Sequence, residues 1–338
     1  MPRVLVAAQI QAISQAIPRA KGGKKIKTES FTFGEGIFTY RWLPENPEDI
    51  VGVVQIAHGM AEHAGRYARF ARFLTEAGFG VYANDHRGHG KTAGALENVG
   101  YFADTDGWHR VADDMHLLTL IIGRECPGVP VFLFGHSMGS FLSRTYIAAH
   151  GGDISGVILS ATGGDPGLLG KIGLMIARWE CRRKGRKAQS PLLTALSFGG
   201  FNKAFKPNRT DFDWLSRDAA EVDAYIADPY CGGIFTAGFF CDLLTGLQFI
   251  NSPEGIRRIP KDLPVHFLSG TSDPVGKNTK GVRQVADAYK AAGISSVTTT
   301  FYDGGRHEML NETNREEVFR DILEWLRAHA AIGTAPLR

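Results

Sequence analysis

The chain has 338 residues, 43% of them hydrophobic and 22% charged, with a formal net charge of +3. That make-up suits a globular chain with a large core and excludes a nucleic-acid partner drawn by bulk charge; no apolar run is long enough to span a bilayer. Four scattered cysteines, Cys126, Cys181, Cys231 and Cys241, form no Cys-x-x-Cys pair, which argues against a zinc site or a disulfide framework and fits a reducing, cytoplasmic setting.

Residues 1–29 read as an N-terminal extension. Val4–Ile17 is apolar but interrupted by Gln9, Gln11, Ser14 and Gln15, and a basic stretch, Lys21–Lys27, follows. The polar interruptions make a poor secretion signal, and an amphipathic helix or a loosely ordered segment fits better. Ser30–Leu43 alternates and predicts a hairpin turning at Gly34–Gly36. Val51–Ala57 predicts a buried strand, Tyr67–Ala77 a helix stopped by Gly78, and Gly80–Ala83 a short strand. Trp108–Gly123 carries a strong helical pattern through Val111, Met115, Leu118 and Ile122. Pro130–Phe134 and Ser155–Ser160 are the next strands. Alternating strands and helices imply right-handed crossovers and a mostly parallel sheet covered by helices on both faces.

The rhythm breaks between Gly163 and Gly255. Helix-like pieces appear at Leu168–Arg183, Leu192–Leu196 and Ala219–Ile226, and an apolar stretch, Phe235–Phe249, is broken by Gly238 and Gly246. This region reads as a helical cap inserted into the sheet domain. Strands resume at Leu263–Leu268 and Val297–Tyr302, and the helix Glu316–Ala330 closes the fold before a tail that reads as disordered. The expected organisation is therefore a core of residues 30–162 and 256–332 with a cap of residues 163–255.

The strand Pro130–Phe134 runs into Gly135-His136-Ser137-Met138-Gly139, and a helical segment follows. A serine presented at the tip of a sheet needs a sharp strand-to-helix turn, which leaves no room for side chains at the flanking positions. The following helix aims free N–H groups and a positive dipole end at the reacting atom. Ser137 is the expected nucleophile. A serine hydroxyl needs a neighbouring base. Val297–Tyr302 leads into Asp303-Gly304-Gly305-Arg306-His307, and His307 is the expected base. The histidines His116, His150 and His329 lie in helical patterns and read as surface residues. A third group must orient the imidazole. Asp273 follows the strand Leu263–Leu268 and is the expected acid; Asp165 is the runner-up, and Asp303 reads as a loop cap. The order Ser137, Asp273, His307 is that of the α/β-hydrolase fold. The backbone N–H groups of Met60 and Met138 are expected to hold the oxyanion.

These segments resemble a known family. His58-Gly-Met-Ala-Glu62-His63-Ala-Gly65-Arg66-Tyr67 is similar to the signature loop of monoacylglycerol lipase and lysophospholipase-like α/β-hydrolases. Asp85-His86-Arg87-Gly88-His89-Gly90 is similar to that family's second loop, and Gly135–Gly139 to its nucleophile elbow. The resemblance spans roughly Phe31 to Ala330. It implies a serine ester hydrolase of lipid-like esters, with a cap over an acyl pocket. Two features depart from the pattern: Met60 stands where a smaller residue is expected, narrowing the pocket beside the oxyanion site, and the cap carries no matching motif.

Glu62, His63, Asp85 and Arg87 read as loop braces, since buried polar groups must be satisfied. Gly90-Lys91-Thr92 mimics the end of a phosphate-binding loop but lacks the required glycine at Asp85 and the strand-to-helix junction. Asp85, His86 and His89 hint at a metal, yet no further ligand cluster supports one. The basic run Arg178–Lys187 is a solvated helix end by default, with weak contact to anionic lipid as the sharper reading. The expected function is a cofactor-free carboxylic ester hydrolase acting on monoacylglycerols or similar short- to medium-chain esters through an acyl-enzyme. An amidase, peptidase or thioesterase would use the same triad, and a ligand-binding protein on a hydrolase scaffold is a lesser alternative.

Overall fold

The computed structural model describes residues 25–331. The apolar N-terminal segment and the final tail lie outside the described residues. Eight strands form one sheet in the order β1-β2-β4-β3-β5-β6-β7-β8. They are β1 (Ile26–Phe33), β2 (Ile37–Pro44), β3 (Gly52–Ala57), β4 (Phe79–Asn84), β5 (Val131–His136), β6 (Gly156–Ser160), β7 (Val265–Gly270) and β8 (Val297–Tyr302). β1, β2 and β4 pair antiparallel; all other pairs are parallel. The opening strand starts at Ile26, so Ile26–Glu29, which read as part of the extension, belong to the sheet: Arg41 reaches Glu29 across the hairpin, and Lys27 of the same strand pairs with Glu29 (2.8 Å).

β3, β4, β5, β6 and β7 are buried along their whole length, which is why they read as unbroken apolar runs. Successive residues still part to opposite faces. Val131 and Leu133 join the core beneath α2 (Gly107–Glu125) and α3 (Met138–His150); Phe132 and Phe134 join the core beneath α1 (Ala68–Glu76) and α10 (Arg315–Ala330). A register slip of one residue would exchange these two sets, so the pairing is strongly specified. β8 is an edge strand with Thr298 and Thr299 exposed. α9 (Lys280–Ala291) packs Val282, Val285 and Tyr289 into the first core; no helix was read there from the sequence.

Between β6 and β7 lie α4 (Gly167–Lys184), α5 (Pro191–Phe198), α6 (Ala219–Ala227), α7 (Ala237–Ile250) and the short α8 (Pro253–Arg257). α7 corrects the sequence reading: Gly238 and Gly246 do not break it. They are points of close approach. A methyl group on Gly246 would overlap the Trp108 indole of α2, and one on Gly238 would crowd the Arg186 backbone. The Trp108 indole N–H donates to Thr145 Oγ1 (2.9 Å), fixing the ring over which α7 passes. The helical histidines are half-buried rather than free: His116 contacts Asp153 (3.0 Å) and stacks on His150, and His329 stacks on Trp325.

Candidate active site

β5 ends at the centre of the sheet and turns directly into α3. Ser137 occupies the turn with φ +51° and ψ −119°, a strained conformation for a side-chain-bearing residue. The turn is tight enough to exclude side chains on either side. A methyl on Gly139 would overlap the Ala57 carbonyl of β3, and one on Gly135 would strike Ser143 Oγ and the Gly139 carbonyl. Ser137 N–H donates to the Ser160 carbonyl (2.9 Å), pinning the turn to β6.

Three sequence-predicted side chains meet above this turn. Ser137 Oγ lies 2.9 Å from His307 Nε2, and His307 Nδ1 lies 2.9 Å from Asp273 Oδ1. A carboxylate only accepts, so Nδ1 carries the proton and Nε2 is left to accept from the serine hydroxyl. Asp273 is itself fully buried and oriented: Val275 N–H donates to Oδ1 (2.9 Å) and Ser269 Oγ to Oδ2 (3.3 Å). The two other acids lie elsewhere. Asp165, just before α4, accepts the Gly167 N–H (2.8 Å), and Asp303 takes the Thr271 hydroxyl (3.3 Å). Burial works against a charged imidazole at His307, but the adjacent Asp273 carboxylate outweighs it, and the pKa ends above the ordinary value.

The loop after β3 brings Met60 to the same cavity. Among the described residues, no acceptor takes the backbone N–H of Met60 or of Met138. The neighbouring Gly59 N–H is not available, because it donates to Glu62 Oε1 (2.6 Å). Glu62 also accepts from Tyr67 Oη (2.8 Å) and Arg66 (2.8 Å), and Arg66 reaches both oxygens of Glu308 (2.6 and 2.7 Å). One guanidinium thus joins the loop of Met60 to the loop of His307. Sequence reasoning placed Glu62 as a brace but missed Glu308, whose partner is 242 residues away.

Other braces span shorter stretches of chain. Asp85 accepts from the N–H groups of Ala64 (2.8 Å) and Lys91 (2.7 Å), and Arg87 grips Asp114 with two nitrogens (2.6 and 2.9 Å). His58 accepts the His86 N–H on Nε2 (2.9 Å), leaving its Nδ1–H to donate to the Gly59 carbonyl (2.8 Å). Both His58 nitrogens are committed within the protein, and its ring packs against those of His86 and His89, with centroids 4.2 and 5.2 Å away. Burial pushes the pKa of His58 and of His89 down to about 3. His136, also missed from sequence, sits beside His307 with ring centroids 4.8 Å apart; burial, then the charge of His307, push it down to about 4.

The segment between β6 and β7 closes over these loops. The carbonyls of Trp214 and Leu215 accept the backbone N–H groups of His307 (3.3 Å) and Glu308 (2.8 Å). Tyr225 Oη and the Gly232 N–H both donate to the Ala61 carbonyl (2.9 and 3.1 Å), and His63 Nε2–H donates to Asp228 (2.9 Å). Beneath this cover lies a cavity that opens to solvent. Ser137 and His307 form part of its wall; Phe141, Phe198, Leu243, Leu244 and Leu247 make much of the rest. The arrangement brings together a hydroxyl in hydrogen-bond reach of an imidazole of fixed tautomer, two free N–H groups and an apolar chamber.

Comparisons with known proteins agree with this architecture. The family model Hydrolase_4, described as serine aminopeptidase S33, matches residues 48–314. A monoacylglycerol lipase of Mycolicibacterium smegmatis is 31% identical over 294 residues, covering 85% of this chain and 91% of that protein. A monoglyceride lipase of Homo sapiens is 28% identical, covering 89% and 90%. The crystal structure of a thermostable carboxyl esterase from Bacillus coagulans, in complex with glycerol, superposes with a TM-score of 0.82 at 30% identity, covering 90% of this chain and 99% of that one. The chain belongs to the Hydrolase_4 family of α/β-hydrolases.

Proposed function

We propose that the chain is a serine carboxylic ester hydrolase acting on acylglycerol-like esters through an acyl-enzyme. Ser137 Oγ attacks the ester carbonyl while His307 Nε2 takes its proton. Asp273 holds the imidazole in the required tautomer and stabilises its cation. The Met60 and Met138 N–H groups receive the charge that develops on the carbonyl oxygen. His307 then protonates the leaving alcohol, and a water activated by the same imidazole releases the acid. The observation that carries this reading is the unbroken row Asp273–His307–Ser137, 2.9 Å at each step, at the wall of a largely apolar cavity. The names of its relatives, monoacylglycerol lipase, monoglyceride lipase and carboxyl esterase, support the substrate class.

The description serine aminopeptidase raises the amide reading. A free α-amino group calls for an uncommitted carboxylate in the pocket. Glu62 and Glu308 line the cavity, but both are engaged by Arg66, and the rest of the chamber favours an acyl chain. A panel of monoacylglycerols, p-nitrophenyl esters, thioesters and amino-acid anilides tests the choice. Turnover of the esters with little on the anilides is expected; preference for anilides would reverse the assignment.

The region of residues 163–255 serves in this proposal as a cap that also meets lipid. α4 and α5 present Leu168, Leu169, Met175 and Leu196 at 72, 79, 62 and 61% exposure. Arg178, Arg182 and Arg183 stand on the same helix α4. Exposed apolar side chains with cations toward one end of the same helix suit the boundary of an anionic lipid surface. No helix among the described residues is long and apolar enough to cross a membrane.

A further inference from the structure

Cys181 and Cys241 are 60 residues apart in the chain, yet their sulfurs lie 3.3 Å from each other. Cys181 is half-buried in the last turn of α4; Cys241 is buried in the first half of α7. Both are free thiols. A disulfide needs sulfurs about 2.05 Å apart, so roughly 1.3 Å of approach would close one. The other two cysteines have no such neighbour among the described residues: Cys126 meets the Tyr82 hydroxyl (3.9 Å), and Cys231 lies near His63 and Asp228.

We propose that Cys181 and Cys241 form a disulfide on exposure to a disulfide oxidant, tying α4 covalently to α7. The proposal stands apart from the hydrolase reading, since it needs neither Ser137 nor a substrate. Glutathione disulfide supplies the oxidising equivalents. The more accessible Cys181 attacks as its thiolate, forms a mixed disulfide with one glutathione and expels the other as a thiolate. Cys241 then attacks Cys181 Sγ, breaks the mixed disulfide and releases the second glutathione. Two protein thiols are oxidised, one glutathione disulfide is reduced to two thiols, and the two cysteine protons end on the glutathiones. Burial, and then Cys181 itself, push the Cys241 thiol up to about 12, which fits Cys241 as the second and not the first to react.

The tie has a structural consequence. α7 carries Leu243, Leu244 and Leu247 into the cavity wall, and α4 lies against it with Gly173 at Leu244. A covalent link near the far end of α4 fixes the helix that bears the exposed apolar face onto the helix that shapes the chamber.

The full chain is treated with excess glutathione disulfide, remaining thiols are blocked with N-ethylmaleimide, and the unreduced digest is mapped by mass spectrometry. One cross-linked peptide pair joining Cys181 to Cys241 is expected, with Cys126 and Cys231 blocked and the link lost on adding dithiothreitol. In a Cys241→Ala variant the reaction is expected to stop at a glutathione adduct on Cys181. Four blocked thiols, a lasting Cys181 adduct in the wild-type chain, or links only between separate molecules would each overturn the proposal. The wild-type map decides alone if the variant fails to fold.

Discussion

The Trp214 carbonyl accepts the backbone N–H of His307 at 3.3 Å, and the two rings lie 5.0 Å apart. The residue that holds the candidate base therefore comes from the segment inserted between β6 and β7, not from the sheet. Arg306, one residue earlier, is held by the same segment through the carbonyls of Asp213 and Ser216. The inserted segment thus serves two purposes: its helices wall the cavity, and the loop between α5 and α6 holds the loop of His307.

Trp214→Ala removes the ring packed on the imidazole while leaving the backbone bond in place. Misplacing a catalytic group by about 1 Å costs on the order of a hundredfold. A fall of kcat/KM by about ten- to a hundredfold on a soluble short-chain ester is expected, with the fold retained by circular dichroism. An unchanged kcat/KM in the folded variant would show that the ring does not position the base.

The proposed role of His307 as the base sets the expected pH dependence of hydrolysis. Only a neutral imidazole can accept a proton from Ser137, so activity is expected to rise as His307 deprotonates. Asp273 holds its pKa above the ordinary histidine value despite burial. The acidic limb of kcat/KM is therefore expected to have its midpoint above about 6.5. In Asp273→Asn the limb should shift to lower pH and the rate should drop steeply. A flat profile from acid to alkaline pH would contradict the role given to His307.

Stability in acid follows from other histidines. His58 and His89 stay neutral in the folded state down to about pH 3, and His136 to about pH 4, because burial penalises their charged forms. The unfolded chain binds protons at these sites from about pH 6.5 downward. Their contribution is complete above that value and shrinks as pH falls, by up to about 1.4 kcal/mol per pH unit for each. His307, with its raised pKa, acts in the opposite sense: its contribution is present below about pH 6.5 and lost at higher pH. Urea midpoints should fall markedly between pH 6.5 and 4.5. A constant midpoint over that range would mean that these rings protonate without cost.

Contact with lipid is tested by flotation with vesicles. Vesicles containing anionic lipid are expected to retain the chain more strongly than neutral ones, and added salt should weaken retention. Leu169→Ser combined with Trp179→Ser, the latter ring being half exposed on α4, should reduce binding without lowering turnover of a soluble ester. Equal binding to anionic and neutral vesicles would remove the role of Arg178, Arg182 and Arg183.

The sheet was legible in the sequence because β3 to β7 are buried on both faces and read as continuous apolar runs. Ser137 and Asp273 were legible because each follows such a run, and His307 because glycines at the end of the β-branched strand β8 lead into it; parallel sheets collect such loops at one edge. α9 was not read, although Val282, Val285, Ala286 and Tyr289 carry the helical spacing. α7 was read as interrupted because glycine weakens an isolated helix; its glycines are instead contact points against Trp108 and Arg186, which only the packed structure reveals. The bonds from Trp214, Tyr225 and Asp228 onto the site loops, and the meeting of Cys181 with Cys241, join residues far apart in the chain. No short-range pattern encodes such contacts.

Covalent labelling by a fluorophosphonate, followed by peptide mapping, tests the nucleophile directly. One modified residue, Ser137, is expected, with labelling abolished in Ser137→Ala and slowed at least about a hundredfold in His307→Ala, in step with the loss of ester turnover. Labelling at another residue, or ester turnover that persists in Ser137→Ala, would contradict that role for Ser137.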